Sequence, residues 1–259
     1  MIAGGDSPVA KWWQVSWKRV GFALLIIFLT PVLLGGVGFL GYVQLAPWLT
    51  ARELAKDQPG IELAPTPLPD RSLATLSGER IERFGLSFQL PWKPIDSDRQ
   101  LKEIAVVQSK SGGSITIHDP SSALGTNSLT RIWVTAIPAL NQPSLRSNYA
   151  LMSAAMEARP ERVKWWKTRE QNTKDLSLLL MKSFALQTDG PLYLLGSGEL
   201  RGFQQGNPSM APYRVKLDIF DSADLHYEIG IDPAWNQGPA ITQAEINAMV
   251  ATMRPASHK

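Results

Sequence analysis

Between Arg19 and Arg52 the chain carries no charged residue, and from Val20 to Leu45 it is almost continuously apolar. A helix that crosses a hydrocarbon core about 30 Å thick needs roughly 20 such residues, whereas the apolar region of a secretory leader runs to only about 7–15. Residues 20–45 are therefore expected to form one transmembrane helix, retained as a signal anchor. Lys11, Lys18 and Arg19 precede it and with Asp6 sum to +2, while Arg52, Glu53, Lys56 and Asp57 beyond it balance. Positive residues beside a first span stay in the cytoplasm. The expected topology is a single-pass cell-membrane protein with residues 1–19 cytoplasmic and the C-terminal domain extracytoplasmic. Trp12, Trp13, Trp17 and Trp48 flank the span where tryptophan suits the headgroup layer; Lys11-Trp12-Trp13 can also be read as an interfacial helix that binds lipid or a partner. Pro31 and the glycines at 35, 36, 38 and 41 permit a kink and close approach of a second helix.

After the span the composition turns. Pro59, Pro65, Pro67 and Pro69 fall within about a dozen residues, a density that favours extended polyproline conformation at about 3.1 Å per residue. Residues 46–78 are expected to be a juxtamembrane, proline-rich linker, either holding the folded part away from the bilayer or lying along its surface. What remains, residues 79–255 with a short tail at 256–259, suits one domain. The whole chain has a formal charge of +3, and with +2 of it before the span the domain is close to neutral. That gives no long-range field for nucleic acid, so none is expected as a partner. The absence of cysteine removes disulfides, thiol catalysis and thiolate metal sites.

Periodicity in the domain indicates an α+β fold, a mainly antiparallel sheet of about 6–8 strands with two helices packed on it. Phe84, Leu86, Phe88 and Leu90 alternate with polar or small residues, the period of a half-buried strand ended by Pro91. Glu103–Ser109 and Ser114–His118 read as strands joined by a turn at 110–113, and a further apolar run spans Arg131–Ile137. Leu145, Tyr149, Met152 and Met156 mark a helix from Leu145 to Arg159 with Ser144 as its cap. Strands are then expected at Val163–Arg169, Leu176–Leu186, Leu192–Phe203, Tyr213–Phe220 and Leu225–Ile231. The last pair makes a hairpin around Asp221-Ser222-Ala223 that sets Asp218 opposite His226 and Lys216 opposite Glu228, the charged face in water. Thr242 and Glu245 have capping-box spacing, and Ile241 and Ile246 form a staple at the start of a final helix.

No residues assemble into a recognised catalytic, metal or nucleotide motif, and no cofactor is expected. Ser197 between Gly196 and Gly198 lacks the spacing and the strand-to-helix context of a hydrolase elbow and is read as a turn. His118, Asp218 and His226, with Asp119, Asp221, Asp224 and Glu228 nearby in sequence, could form a metal site if the loops converge; a charged hairpin face explains them equally. In Arg162–Arg169, Trp165 and Trp166 sit among Lys164 and Lys167, a composition that suits an anionic polymer, a glycan or a lipid surface. In a strand only one of those indoles can be core. Arg201–Pro208 is a second candidate contact loop.

The segment FGLSFQLPWKP, residues 84–94, resembles the opening of PsbP/Mog1-like domains, and the order of antiparallel strands, helix, hairpins and terminal helix is similar. That resemblance implies an accessory or binding module of a larger assembly. The expected function is thus a membrane-anchored, non-enzymatic binding module, with a membrane or envelope protein as partner. The alternatives are a tethered hydrolase or metal-dependent enzyme, and a glycan or cell-wall binder.

Overall fold

The computed structural model describes residues 41–42, 44–95, 99–100, 102–121, 134–186, 190–234 and 238–256. The chain divides into two compact units, Met1–Ala46 and Pro47–Lys259. In the first, only positions 41–42 and 44–46 are described, all helical; residues 1–19, expected to be cytoplasmic, and nearly all of the expected 20–45 span lie outside the described residues. Among the described residues no helix is long and apolar enough to cross a membrane.

The second unit is an α+β domain that begins at Pro47, not near 79. Residues 47–57 form helix α1, whose Ala51 is fully buried. Ile61 is buried with it, and Thr66–Pro67 (β1) pairs in parallel with a central-sheet strand. Farther on, Ala74 donates its N–H to the carbonyl of Ala244, and Gly78 to that of Leu90. The proline-rich segment is therefore part of the domain surface and not a free spacer. Proline suits this path because it lacks an N–H and tolerates only an edge position.

Two sheets follow. Arg80–Arg83 (β2) and Leu86–Gln89 (β3) are joined by Phe84 and Gly85, both at positive φ (51° and 80°), as a two-residue turn between right-twisted strands requires. The long strand expected here is thus a hairpin, with Leu86 and Phe88 buried on one face. The larger sheet uses Arg99–Gln100 (β4), Ile104–Gln108 (β5), Ser114–His118 (β6), Leu192–Ser197 (β7), Leu200–Gln205 (β8), Val215–Phe220 (β9) and His226–Asp232 (β10). Its order is β1-β7-β8-β9-β10-β6-β5-β4, antiparallel except for β1. Leu192–Phe203, expected as one strand, is β7 and β8 folded at Gly198, which holds φ +58°.

The helices are Asn148–Met156 (α2), Arg169–Ala185 (α3) and Gln243–Thr252 (α4). The α2 helix starts later than expected: Pro143–Leu145 is a 3-10 turn, and Ser147 caps the helix by accepting from the N–H of Ala150 at 3.0 Å. The α3 helix corrects the strand expected at Leu176–Leu186. Its buried stripe includes Asn172, Leu178, Leu179, Met181 and Lys182, so polar members hide the helical period, while LSLLLM reads locally as a buried strand. Val163–Thr168 is not a strand but a 3-10 exit and a turn. Residues 134–136 of the 131–137 run are helical, and the rest of it before 134 lies outside the described residues. The capping box at Thr242 and Glu245 is present as expected, with Ile241 and Ile246 buried.

One face of the large sheet packs Val215, Leu217, Ile219, Tyr227 and Ile229 against Leu86, Phe88, Ile246 and Met249. The other face lies under the helical side of the domain, where Met152 and Met156 of α2 meet Leu192, Phe203 and Phe220. Beyond it, α1, α2 and α3 share a further apolar cluster through Ala51, Leu151, Ala155, Leu178 and Leu179.

Candidate functional site

The charged hairpin is buried. In β9–β10 the observed partners are Phe220 with His226, Asp218 with Glu228 and Lys216 with Gly230, a register two residues from the expected one. The turn is longer than three residues because the Asp221 carboxylate accepts from the N–H of Leu225 at 2.9 Å, and Asp224 takes φ +63°. A shift of two preserves the faces, so the expected charge pairs survive as diagonal neighbours. Lys216 Nζ lies 3.1 Å from Glu228 and 3.4 Å from Asp218, and His226 Nε2 lies 3.0 Å from Asp218.

What covers this face explains its chemistry. The last turns of α3 leave carbonyls without helical partners, and that of Ala185 accepts from Lys216 Nζ at 3.2 Å and from Gln205 Nε2 at 3.0 Å. A cation at a helix C-terminus also meets the negative end of its dipole. Gln205 donates in addition to Asp218 at 2.8 Å, and the Phe220 and His226 rings stack at 4.3 Å. Burial works against the Asp218 charge, but Lys216 and the hydrogen bonds from His226 and Gln205 override it and hold the carboxyl at about 2. An ionised carboxylate only accepts, so Nε2 of His226 carries the proton in this pair. Burial likewise opposes the Lys216 charge, and Asp218 and Glu228 raise it above the ordinary lysine value.

The side chain of Asp218 is wholly buried and that of His226 is 1% exposed. Both are out of a ligand's reach, and the pair serves to join sheet and helix. His118 stands on β6, beside β10 but outside these contacts. Asp224 is spent elsewhere, accepting from the N–H groups of Asn148 and Tyr149 at the start of α2. Asp119 closes its own turn by accepting from Ser121. Among the described residues no group of three or more histidines and carboxylates could hold a metal ion. Most of the Arg201–Pro208 loop is strand β8, and a Cβ on Gly202 would lie 1.9 Å from the Asp218 carbonyl, so glycine there serves strand packing.

The tryptophan pair is the accessible candidate. Trp165 and Trp166 are 51% and 64% exposed, with rings edge-to-face at 5.6 Å. Because the segment is a turn, both indoles face outward, where a strand would have buried one. The turn is firmly held. Val163 before it is fully buried. The Asn172 side chain donates to the Lys164 carbonyl at 2.6 Å and accepts from its N–H at 3.1 Å. Lys167 pairs with Asp175 at 2.7 Å, and Lys164 Nζ sits 5.4 Å from the Trp166 ring centre.

Lys182 went unread in the sequence. It is wholly buried on α3 and donates to the carbonyls of Leu63 and Ala158, pinning the proline-rich segment to the helical layer. Burial first, then Arg159 and Arg162, push it down to about 8. Two open clefts of about 460 and 400 Å³ flank the domain, one lined by Gln58, Asn207 and Arg214, the other by Leu73, Leu194 and Asn247. Neither includes the tryptophan pair or the buried network. Comparison with family models, with curated proteins and with solved structures finds no match to this chain.

Proposed function

We propose that this is a single-pass membrane protein, anchored by 20–45 with its amino terminus cytoplasmic, whose extracytoplasmic α+β domain is a non-enzymatic binding or accessory module for another membrane or envelope protein. One observation carries the proposal: the almost continuously apolar run ends at Leu45 and the compact domain starts at Pro47. Anchor and domain then follow one another in sequence, and a domain tethered in this way meets partners of the same membrane at high effective concentration. Its PsbP/Mog1-like character is part of the proposal, supported by the β2–β3 hairpin at the expected opening motif and by the terminal helix packed on it. Asp218 and His226, two of the residues on which the tethered-enzyme alternative relies, are buried, which counts against that alternative.

The test is biochemical. Membranes containing the full chain are washed with alkaline carbonate, treated with protease from the outside, and extracted in mild detergent. The proposal expects retention in the pellet, digestion of the domain from the outer side, and co-migration with another membrane protein. Release by carbonate would overturn the anchor, and a chain that always emerges alone and monomeric would overturn the accessory role.

A further inference from the structure

We infer that the turn from Lys164 to Lys167 is a second contact with the bilayer, in which Trp165 and Trp166 enter the headgroup layer of an anionic membrane. The inference rests on the anchored reading above and names the surface that the domain presents to the lipid. Indoles combine a large apolar ring with a polar N–H, which is why tryptophan gathers where water and hydrocarbon meet. Two adjacent indoles more than half exposed are costly on a surface meant only for water. Here they are not floppy: the buried Val163 and Asn172 fix the turn that carries them, so little further ordering is needed on contact.

Charge and tethering favour lipid over a glycan. Exposed Arg159, Arg162 and Arg169 accompany Lys164, while Lys167 is paired with Asp175; against exposed Glu157, Glu161 and Glu170 the local balance is still positive and suits anionic headgroups. Val163, which leads into the turn, shares an apolar cluster with Ala51 of α1. With an anchor in the same chain the membrane acts at high effective concentration, and a contact too weak to recruit a free protein is sufficient.

The chain contains no cysteine, so single cysteines can be placed freely. The experiment uses the full chain in vesicles with about one third phosphatidylglycerol, carrying a nitroxide at Gln171→Cys, in the exposed first turn of the helix that follows the indoles, or at Glu199→Cys in the β7–β8 turn. Accessibility to lipid-soluble oxygen is compared with accessibility to an aqueous nickel chelate. The lipid-to-water ratio is expected to be about fivefold higher at 171 than at 199, as an interfacial site requires. The Trp165→Ser, Trp166→Ser variant should bring it within about twofold of 199, and Arg162→Gln with Arg169→Gln, which spares the indoles, should lower it in anionic but not neutral vesicles. Equal ratios at 171 and 199 in the parent chain, while the chain still floats with the vesicles and resists carbonate, would overturn the inference and leave the anchor standing. Protection of 171 by soluble cell-wall polysaccharide in place of lipid would overturn it in favour of a glycan. Release by carbonate shows instead that the anchor has failed, and the inference falls with it.

Discussion

Strand β9 sends Val215, Leu217 and Ile219 to one face of the sheet and Lys216, Asp218 and Phe220 to the other, and all six are buried. The first face is closed by hydrocarbon packing against β2, β3 and α4. The second is closed by α2 and α3 over a set of mutually satisfied polar groups. The difference teaches that alternation reports which residues share a face, not whether that face meets water. On the apolar side burial itself is favourable, at about 25 cal/mol per Å². On the other side burial is tolerated because each charge has a partner, and removing one partner exposes the full desolvation cost.

The two faces should therefore respond differently to substitution. Asp218→Ala leaves Lys216 and the proton on His226 short of their acceptor and is expected to cost about 3–5 kcal/mol, read by denaturant unfolding. Replacing Lys216, Asp218, His226 and Gln205 together by apolar residues of similar volume should recover most of that loss, to within about 1–2 kcal/mol. A large residual deficit would mean that the network contributes stability outright and would break the comparison. Leu217→Ala on the apolar face should cost about 3 kcal/mol, and no second substitution on that face should restore it.

Acid sharpens the contrast. The Asp218 carboxyl is held at about 2 in the fold against about 3.9 in an unfolded chain. Its contribution, about 2–3 kcal/mol, is present above roughly pH 4 and is lost as pH falls towards 2; that portion of the acid limb should vanish in the apolar quadruple variant. Lys182 has the opposite sense. With its folded value lowered to about 8, the unfolded chain binds more protons between about pH 8 and 10. Stability attributable to Lys182 should rise with pH through that window, and Lys182→Met should abolish the rise.

Smaller effects belong to the helix covers. Asp224→Ala removes the acceptor of two N–H groups at the start of α2 and should cost about 1–2 kcal/mol, and Thr242→Ala at the capping box about 1 kcal/mol. Trp165→Ser with Trp166→Ser should change stability by less than about 0.5 kcal/mol, because both rings are exposed. A larger loss would assign the indoles to packing.

Where the signal was local, the sequence was readable. The capping box at Thr242, the β5–β6 hairpin and the face membership of Lys216, Asp218, His226 and Glu228 all depend on residues within a few positions of each other. The α3 helix was misread because three of its buried positions, Asn172, Ser177 and Lys182, are polar, so the run Leu178-Leu179-Leu180-Met181 looked like a strand core. A usable sign was present in Thr168 and Gln171, whose spacing is that of a helix start and whose N-cap hydrogen bond is formed at 3.3 Å. The hairpin register missed by two because the hydrogen bond from Leu225 to the Asp221 side chain, which lengthens the turn, has no periodic signature.

By itself the sequence determined the α+β class, the antiparallel pairing of its hairpins, the final helix, and an uncharged run long enough to be an anchor, since these follow from short-range sterics, period and length. Only the tertiary structure decided that the proline-rich segment belongs to the domain, that the charged face of β9 and β10 lies under helices, and that both indoles of the basic turn point outward. Each of these depends on what packs from a distant part of the chain: Leu63 against Lys182, Ala185 against Lys216, Asn172 against Lys164. Burial is set by such partners, and a pattern along one strand or turn cannot contain them.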